Sequence, residues 1–240
     1  MICEKLLGRA KLMGIPLSEP RAQQIEEYHR LLLQKNAVLN LTRVPEDEDE
    51  AIDRNYLDSL GAVAVFPELW AKAKSVIDVG TGAGLPGLPL AILCPDIQFT
   101  LLDALGKRID FISEVVQTLG LKNVHPLHLR AEDAARKPEL RESFDIATAR
   151  ALAALNLLSE YLLPFVRPGG VMLCYKGPGL DEEILNAAHA FEALGGRYEA
   201  QKKVLLPGRD WDHRLCLICK TTSTPDKYPR RAGKPEKKPL

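Results

Sequence analysis

The residues best placed for chemistry are the closely spaced glycines of Asp78-Val79-Gly80-Thr81-Gly82-Ala83-Gly84-Leu85-Pro86-Gly87, together with Asp103, which closes the next apolar run, Phe99-Thr100-Leu101-Leu102. A glycine lets the backbone approach a ligand closely and can take a positive φ. The preceding Val76, Ile77 and Val79 read as a strand buried on both faces, and the apolar sequence from Pro86 reads as a helix. The first N–H groups of such a helix have no intrahelical partner and suit an anionic or polar ligand. Gly82, Gly84 and Gly87 fit the G-x-G-x-x-G pattern of dinucleotide sites, while Asp78, Gly80, Gly82 and Gly84 fit D-x-G-x-G-x-G. An acid at the end of the second strand can accept two ribose hydroxyls in either case. The loop therefore points to a cofactor containing adenosine and leaves its reactive group open.

The D-x-G-x-G-x-G run resembles motif I of the class I S-adenosylmethionine-dependent methyltransferases, in which the loop lies against the methionine part of the cofactor. To choose between the two patterns, the elements that position the loop must be read. Residues 21–33 form a helix with Ile25, Tyr28, Leu31 and Leu32 on one face, and residues 52–65 form a second with Ile52, Tyr56, Leu60 and Val63 aligned. Both precede the glycine loop, so residues 1–70 read as a helical annex. Strands at 76–79, 98–102, 123–129, 144–149 and 171–175 then alternate with helices at 86–93, 107–119, 152–163 and 181–194, Gly120 and Gly195-Gly196 acting as stops. Alternation of this kind gives a parallel sheet with right-handed crossovers. The last two strands, 200–206 and 213–218, are joined by a polar loop and must pair antiparallel. That ending is similar to the seven-stranded α/β sheet of class I methyltransferases, whereas a dinucleotide-binding half would continue through another helix.

Composition bounds the rest. With 240 residues, 46% of them hydrophobic, the chain can bury one large core, here assigned to residues 71–220. No apolar run reaches the roughly 20 residues of a membrane span, and Met1-Ile2-Cys3-Glu4-Lys5 does not begin an export signal, so a soluble cytoplasmic protein is expected. Cys3, Cys94, Cys174, Cys216 and Cys219 read as free thiols. Cys216 and Cys219 lie three apart in a strand, face opposite ways and cannot chelate together, so no metal is expected. Net charge is zero, but its distribution is uneven. The acidic run 46–50 reads as a solvated loop, and residues 221–240, rich in proline and base, read as an extended tail. Lys227, Tyr228, Arg230, Arg231, Lys234, Lys237 and Lys238 in that tail suit either a phosphate backbone with one stacking ring or a solubilising terminus.

A closer resemblance rests on Asn40-Leu41-Thr42, Leu57-Asp58-Ser59, the block from Asp78 to Leu90 with its Gly-Leu-Pro-Gly-Leu-Pro, Leu101 to Arg108, Ala131-Glu132, Arg150-Ala151, Lys176-Gly177 and Tyr228-Pro229-Arg230-Arg231. Over residues 21–240 the chain resembles the small-subunit ribosomal RNA methyltransferase G family, also called glucose-inhibited division protein B. The resemblance implies transfer of a methyl group from S-adenosylmethionine to N7 of a guanine in the decoding-centre loop of 16S rRNA, free or in the small subunit, by a monomer. It places cofactor contacts on Gly80, Gly82, Leu85, Asp103, Ala104, Leu105, Ala131, Glu132 and Arg150. Gly80 would admit the methionine portion, Asp103 would take the ribose, Ala104 and Leu105 would lie on the adenine, and Glu132 would accept from its amine. Arg150 and Lys176, at strand ends, are the candidates for holding the acceptor base. The chain departs from the family's usual pattern at Asn55, where His is common, at Ala104, where Ser is frequent, and at His213-Arg214, where the usual arginine is displaced. The other functions open to this sequence are a nicotinamide-dependent oxidoreductase, which the final hairpin disfavours, and a ribosome-binding protein that holds the cofactor without using it.

Overall fold

The structure, a computed structural model, describes residues 2–240. Its N-terminal part is helical: α1 (Ile2–Leu12), α2 (Glu19–Leu39), α3 (Glu48–Ala51), a π-helical segment (Ile52–Leu57), α4 (Asp58–Val65) and α5 (Pro67–Lys72). The sheet follows as β1 (Ser75–Val79), α6 (Gly87–Leu93), β2 (Gln98–Asp103), α7 (Gly106–Leu119), β3 (Val124–His128), α8 (Ala131–Ala134), β4 (Phe144–Arg150), α9 (Leu155–Leu162), β5 (Val166–Lys176), α10 (Leu180–Ala193), β6 (Gly196–Lys203) and β7 (Arg214–Lys220). A last short helix, α11, spans Lys234–Lys237.

The strand order is β3-β2-β1-β4-β5-β7-β6, parallel except that β7 runs antiparallel to both neighbours. This is the mixed seven-stranded sheet with a terminal hairpin that the helix-free ending dictates. The order reverses between β1 and β4, and in open sheets of this type a crevice forms beyond the strand ends at that point. β1 is held there by burial of Val76, Ile77 and Val79 and by Asp145, which accepts from the Lys74 and Ser75 amides at 2.7 and 3.0 Å. One core cluster joins the annex to one face of the sheet, and a second joins α9 and α10 to the other.

The annex also reaches the glycine loop. Tyr28 of α2 is fully buried, and its hydroxyl donates to the Ala83 carbonyl at 2.6 Å. Burying a side chain of this size stabilises by about 2 kcal/mol, and the hydrogen bond fixes where the loop sits relative to α2.

Three expectations need correction. Helix α1 is an element that the reading of the sequence leaves out, although Ile2, Cys3, Leu6 and Ala10 line one buried face at helical spacing. The acidic run does not stay a loop: Asp47 caps α3 by accepting from the Glu50 amide at 2.7 Å, and Lys5 and Arg9 of α1 pair with Glu48, Asp49 and Asp53. Residues 221–240 are not an extended tail. Tyr228 is buried, Arg141 donates to the Thr224 and Tyr228 carbonyls, and Arg230 pairs with the fully buried Glu160. Their composition reads as disordered only while these partners, far away in sequence, are unknown.

Candidate active site

Two cavities open beyond the carboxyl ends of β1, β2 and β4. The smaller, about 190 Å³, is lined by Gly80, Asp103, Ala104, Leu105, Ala131 and Glu132, six of the positions singled out in the sequence, and also by Arg108, Leu152, Tyr161 and Glu236. The larger, about 510 Å³, holds Arg150 and Lys176 together with Thr42, Arg54, Asn55, Asp58, Leu152 and His213. Leu152 belongs to both. A Cβ on Gly80 would come within 2.7 Å of a Leu152 methyl, so Leu152 packs against Gly80, whose φ of +69° is a conformation that glycine takes without strain.

The glycine loop is braced from below by Asp78. Its Oδ2 accepts from the Thr81 hydroxyl at 2.6 Å and the Gly87 amide at 2.9 Å, and a Cβ on Gly87 would meet that same oxygen at 2.7 Å. Asp78 is completely buried and its Oδ1 has no hydrogen-bond partner, so burial pushes its carboxyl up to about 6. Gly82 and Leu85 line neither cavity. The Gly82 amide donates to Asp103 at 2.9 Å, and the Leu85 side chain is in the core.

Asp103 faces the small pocket with its carboxylate fixed on both sides. Oδ1 accepts from the Leu105 amide at 2.9 Å, and Oδ2 accepts from Gly82 and from Arg108 at 3.1 Å. A carboxylate has about four lone-pair sites, so a ribose hydroxyl must share Oδ1 or displace Arg108. Glu132, also buried, accepts from the Gly233 amide at 3.2 Å. Ala104 and Leu105 are exposed at the rim, the position an adenine ring stacked on them would need.

In the larger cleft Arg150 is held by its Nη1, which donates to the Arg54 carbonyl at 2.6 Å and to Asp58 Oδ2 at 3.2 Å. The other oxygen of Asp58 bonds His213 Nδ1 at 2.9 Å. Lys176 donates to the Ala153 carbonyl at 2.8 Å and pairs with Glu183 at 2.5 Å, which leaves one of its three N–H groups for a ligand. The residue after Arg150, Ala151, takes φ +53°, a left-handed conformation that costs an alanine roughly 1–2 kcal/mol. Through this turn Arg150 lies in the cleft while Leu152 spans both cavities, and α9 starts at Leu155 rather than at 152 as expected. Strain of this kind collects where a site over-determines the backbone.

The π-helical segment carries Arg54 and Asn55 into the same cleft. Asn55 is buried and its Nδ2 has no partner. Near the rim, the guanidinium groups of Arg54 and Arg209 lie 4.3 and 5.0 Å from the centre of the Trp211 ring, with the His213 ring 5.3 Å away. The displaced arginine, Arg214, turns instead to Asp181 and Asp212. Sequence reading missed Arg108, Tyr161, Glu236, Arg54 and His213 as lining residues. Only the last carried a signal, as a histidine where an arginine is usual. Among the described residues no group of three or more His, Cys, Asp and Glu side chains could hold a metal ion, and no helix is long and apolar enough to cross a membrane.

A small pocket with a glycine floor and fixed acids beside a wide, basic cleft is an arrangement for moving a group from a bound small molecule to a larger partner. Comparison with known proteins agrees. Residues 21–209 match the family described as rRNA small subunit methyltransferase G. Proteins named ribosomal RNA small subunit methyltransferase G are 44% identical over 227 residues in Lactobacillus johnsonii, covering 95% of both chains, and 46% identical over 228 residues in Clostridium perfringens, covering 95% of this chain and 94% of that one. Among solved structures, an O-methyltransferase family protein from Burkholderia thailandensis shares the fold with a TM-score of 0.53 at 16% identity, over 85% of this chain and 72% of the other.

Proposed function

Because the chain belongs to the rRNA small subunit methyltransferase G family, we propose that it moves the methyl group of S-adenosylmethionine to N7 of a guanine in the decoding-centre loop of 16S rRNA. The observation that carries this reading is the shared wall: Leu152 lines both cavities, so a donor in the small pocket adjoins an acceptor beside Arg150.

The residues present fit the cofactor. Gly80 lines the pocket without a side chain, Asp103 presents fixed acceptors for ribose hydroxyls, and Leu105 offers an exposed apolar face to a base. When bound, S-adenosylmethionine supplies an electrophilic methyl carbon on a sulfonium. Guanine N7 already carries an in-plane lone pair, so no residue has to remove a proton. The protein's part is to align the base and exclude water. Arg150 and the spare N–H of Lys176 donate to the acceptor's O6 or phosphates, and Asp58 with His213 fixes the Arg150 guanidinium from behind. The base must enter from an unstacked loop, because paired A-form RNA hides N7 in a narrow groove. Trp211 with the guanidiniums of Arg54 and Arg209 stands near the rim, where such a nucleotide would pass.

The test is transfer of labelled methyl from S-adenosylmethionine to naked 16S rRNA and to small subunits lacking the modification, followed by nucleoside analysis. The expected product is 7-methylguanosine, with Arg150→Ala slowing its formation on the order of a hundredfold. Methylation at another atom would refute the N7 assignment. Cofactor binding with no transfer to either substrate would favour a binding protein over an enzyme.

A further inference from the structure

In the last residues of the chain Tyr228 is buried and Arg230 is taken up by Glu160, while Lys227, Arg231, Lys234, Lys237 and Lys238 stay exposed. Lys220, fully buried, donates to the Leu163 carbonyl at 2.7 Å and to the Thr224 hydroxyl, and Thr224 in turn donates to the Leu194 carbonyl at 2.8 Å. Arg136 and Arg141 donate to the carbonyls of Pro229 and Tyr228. Arg230 donates to Glu160 through its amide at 2.7 Å and its Nε at 2.9 Å. The segment is thus fastened along its length, and the part beyond Arg230 is delivered to one place. There the Gly233 amide holds Glu132, and α11 brings Glu236 into the small pocket, where the Tyr161 hydroxyl donates to it at 3.2 Å.

We propose that this C-terminal segment is a working wall of the cofactor pocket, and that Glu236 is a cofactor-binding carboxylate which accepts from an N–H donor of S-adenosylmethionine. The inference rests on the reading of that pocket as the S-adenosylmethionine site. Three observations support it. Asp103, Glu132 and Glu236 outnumber Arg108 and Arg130 around the pocket, a net negative lining that suits a ligand whose sulfonium and ammonium outnumber its one carboxylate. Glu236 is exposed, and its carboxylate is held at the pocket by the hydroxyl of the buried Tyr161, which leaves its other oxygen open to a ligand. Tyr161 stays protonated, since burial and the nearby Glu132 raise its phenol far above neutrality, and it therefore orients the carboxylate as a donor.

The donor on the ligand is an amine, either the exocyclic amine of adenine or the ammonium of the methionine portion. Calorimetric titration of the full-length protein with S-adenosylhomocysteine and with adenosine separates them. Glu236→Gln, at an exposed site, is expected to keep the parent's melting temperature and to weaken S-adenosylhomocysteine binding about three- to tenfold. An equal loss with adenosine locates the contact on the base, and a loss confined to S-adenosylhomocysteine locates it on the methionine end. Tyr161→Phe is expected to weaken binding less, and the double variant is expected to fall short of the sum, because both act through one hydrogen bond. In transfer assays the KM for S-adenosylmethionine rises while kcat stays near that of the parent. Lys237→Ala, next in sequence and outside the pocket lining, is expected to bind as tightly as the parent or tighter. Unchanged affinity in Glu236→Gln, or an equal loss in Lys237→Ala, overturns the proposal. A parent protein that binds no S-adenosylhomocysteine overturns the underlying reading of the pocket instead.

Discussion

Asp78 shows how a single residue holds the site in shape at a cost. Its Oδ2 ties Thr81 and Gly87 to β1, while Oδ1 is left without a partner in the core. Burial raises the carboxyl to about 6, above its value of about 4 in an unfolded chain. The folded protein therefore keeps a proton that the unfolded chain releases between those values. The stabilisation this gives is complete below about pH 4 and is lost as pH rises through 6, by up to about 3 kcal/mol. Asp78→Asn keeps an acceptor for Thr81 and Gly87 and removes the ionisation. In urea unfolding at pH 7.5 it is expected to be more stable than the parent, with the gap closing towards pH 4.5. A gap of constant size at all pH values would show that ionisation of Asp78 is not what costs stability. Residues of this kind were legible in the sequence because their meaning lies in local spacing: Asp78, Gly80 and Gly87 belong to one loop, and Asp103 ends the next strand. Arg108, Tyr161 and Glu236 were not legible as a group, since α7, α9 and α11 bring them to the pocket from three distant parts of the chain.

Strands and helices followed the same division. Apolar runs and glycine stops marked β1 to β5 and the helices α6, α7 and α9, because each buries its own contiguous stripe, whereas the four-residue α8 between β3 and β4 is too short to show one. The edges shifted where pairing rather than propensity decides: β5 begins at Val166, reaching across Gly169 and Gly170, and β6 begins at Gly196 because it pairs with Lys220. The C-terminal segment was misjudged for a related reason. Its basic residues look solvated until Glu160, fully buried on α9, is seen to need one of them. Removing one partner of a buried ion pair strands the other charge, so Arg230→Ala is expected to destabilise the fold by about 3 kcal/mol in urea unfolding. Adding Glu160→Gln to that variant should restore much of the loss. A cost below about 1 kcal/mol, within the range of exposed pairs, would contradict the view that this contact fastens the segment.

At the scale of the whole molecule, the sheet reversal between β1 and β4 creates the crevice, the annex supplies one wall of the cleft through Thr42, Arg54, Asn55 and Asp58, and the folded C-terminal segment supplies a wall of the pocket. A formal charge of zero conceals an uneven distribution: Asp103, Glu132 and Glu236 outnumber Arg108 and Arg130 at the small pocket, while Arg43, Arg54, Arg150 and Lys176 outnumber Asp58 and Glu183 in the wide cleft. Such a distribution suits a cationic small molecule on one side and a polyanion on the other. The central claim is that the donor and acceptor sites meet at Leu152. A crystal structure of the protein with S-adenosylhomocysteine tests it most directly. The ribose is expected at Asp103, the adenine between Leu105 and Glu132, and the sulfur beside Gly80 and Leu152, facing the cleft that holds Arg150. A sulfur pointing away from that cleft, or a ligand seated instead in the separate groove beside Arg21, Gln24 and Lys122, would contradict it.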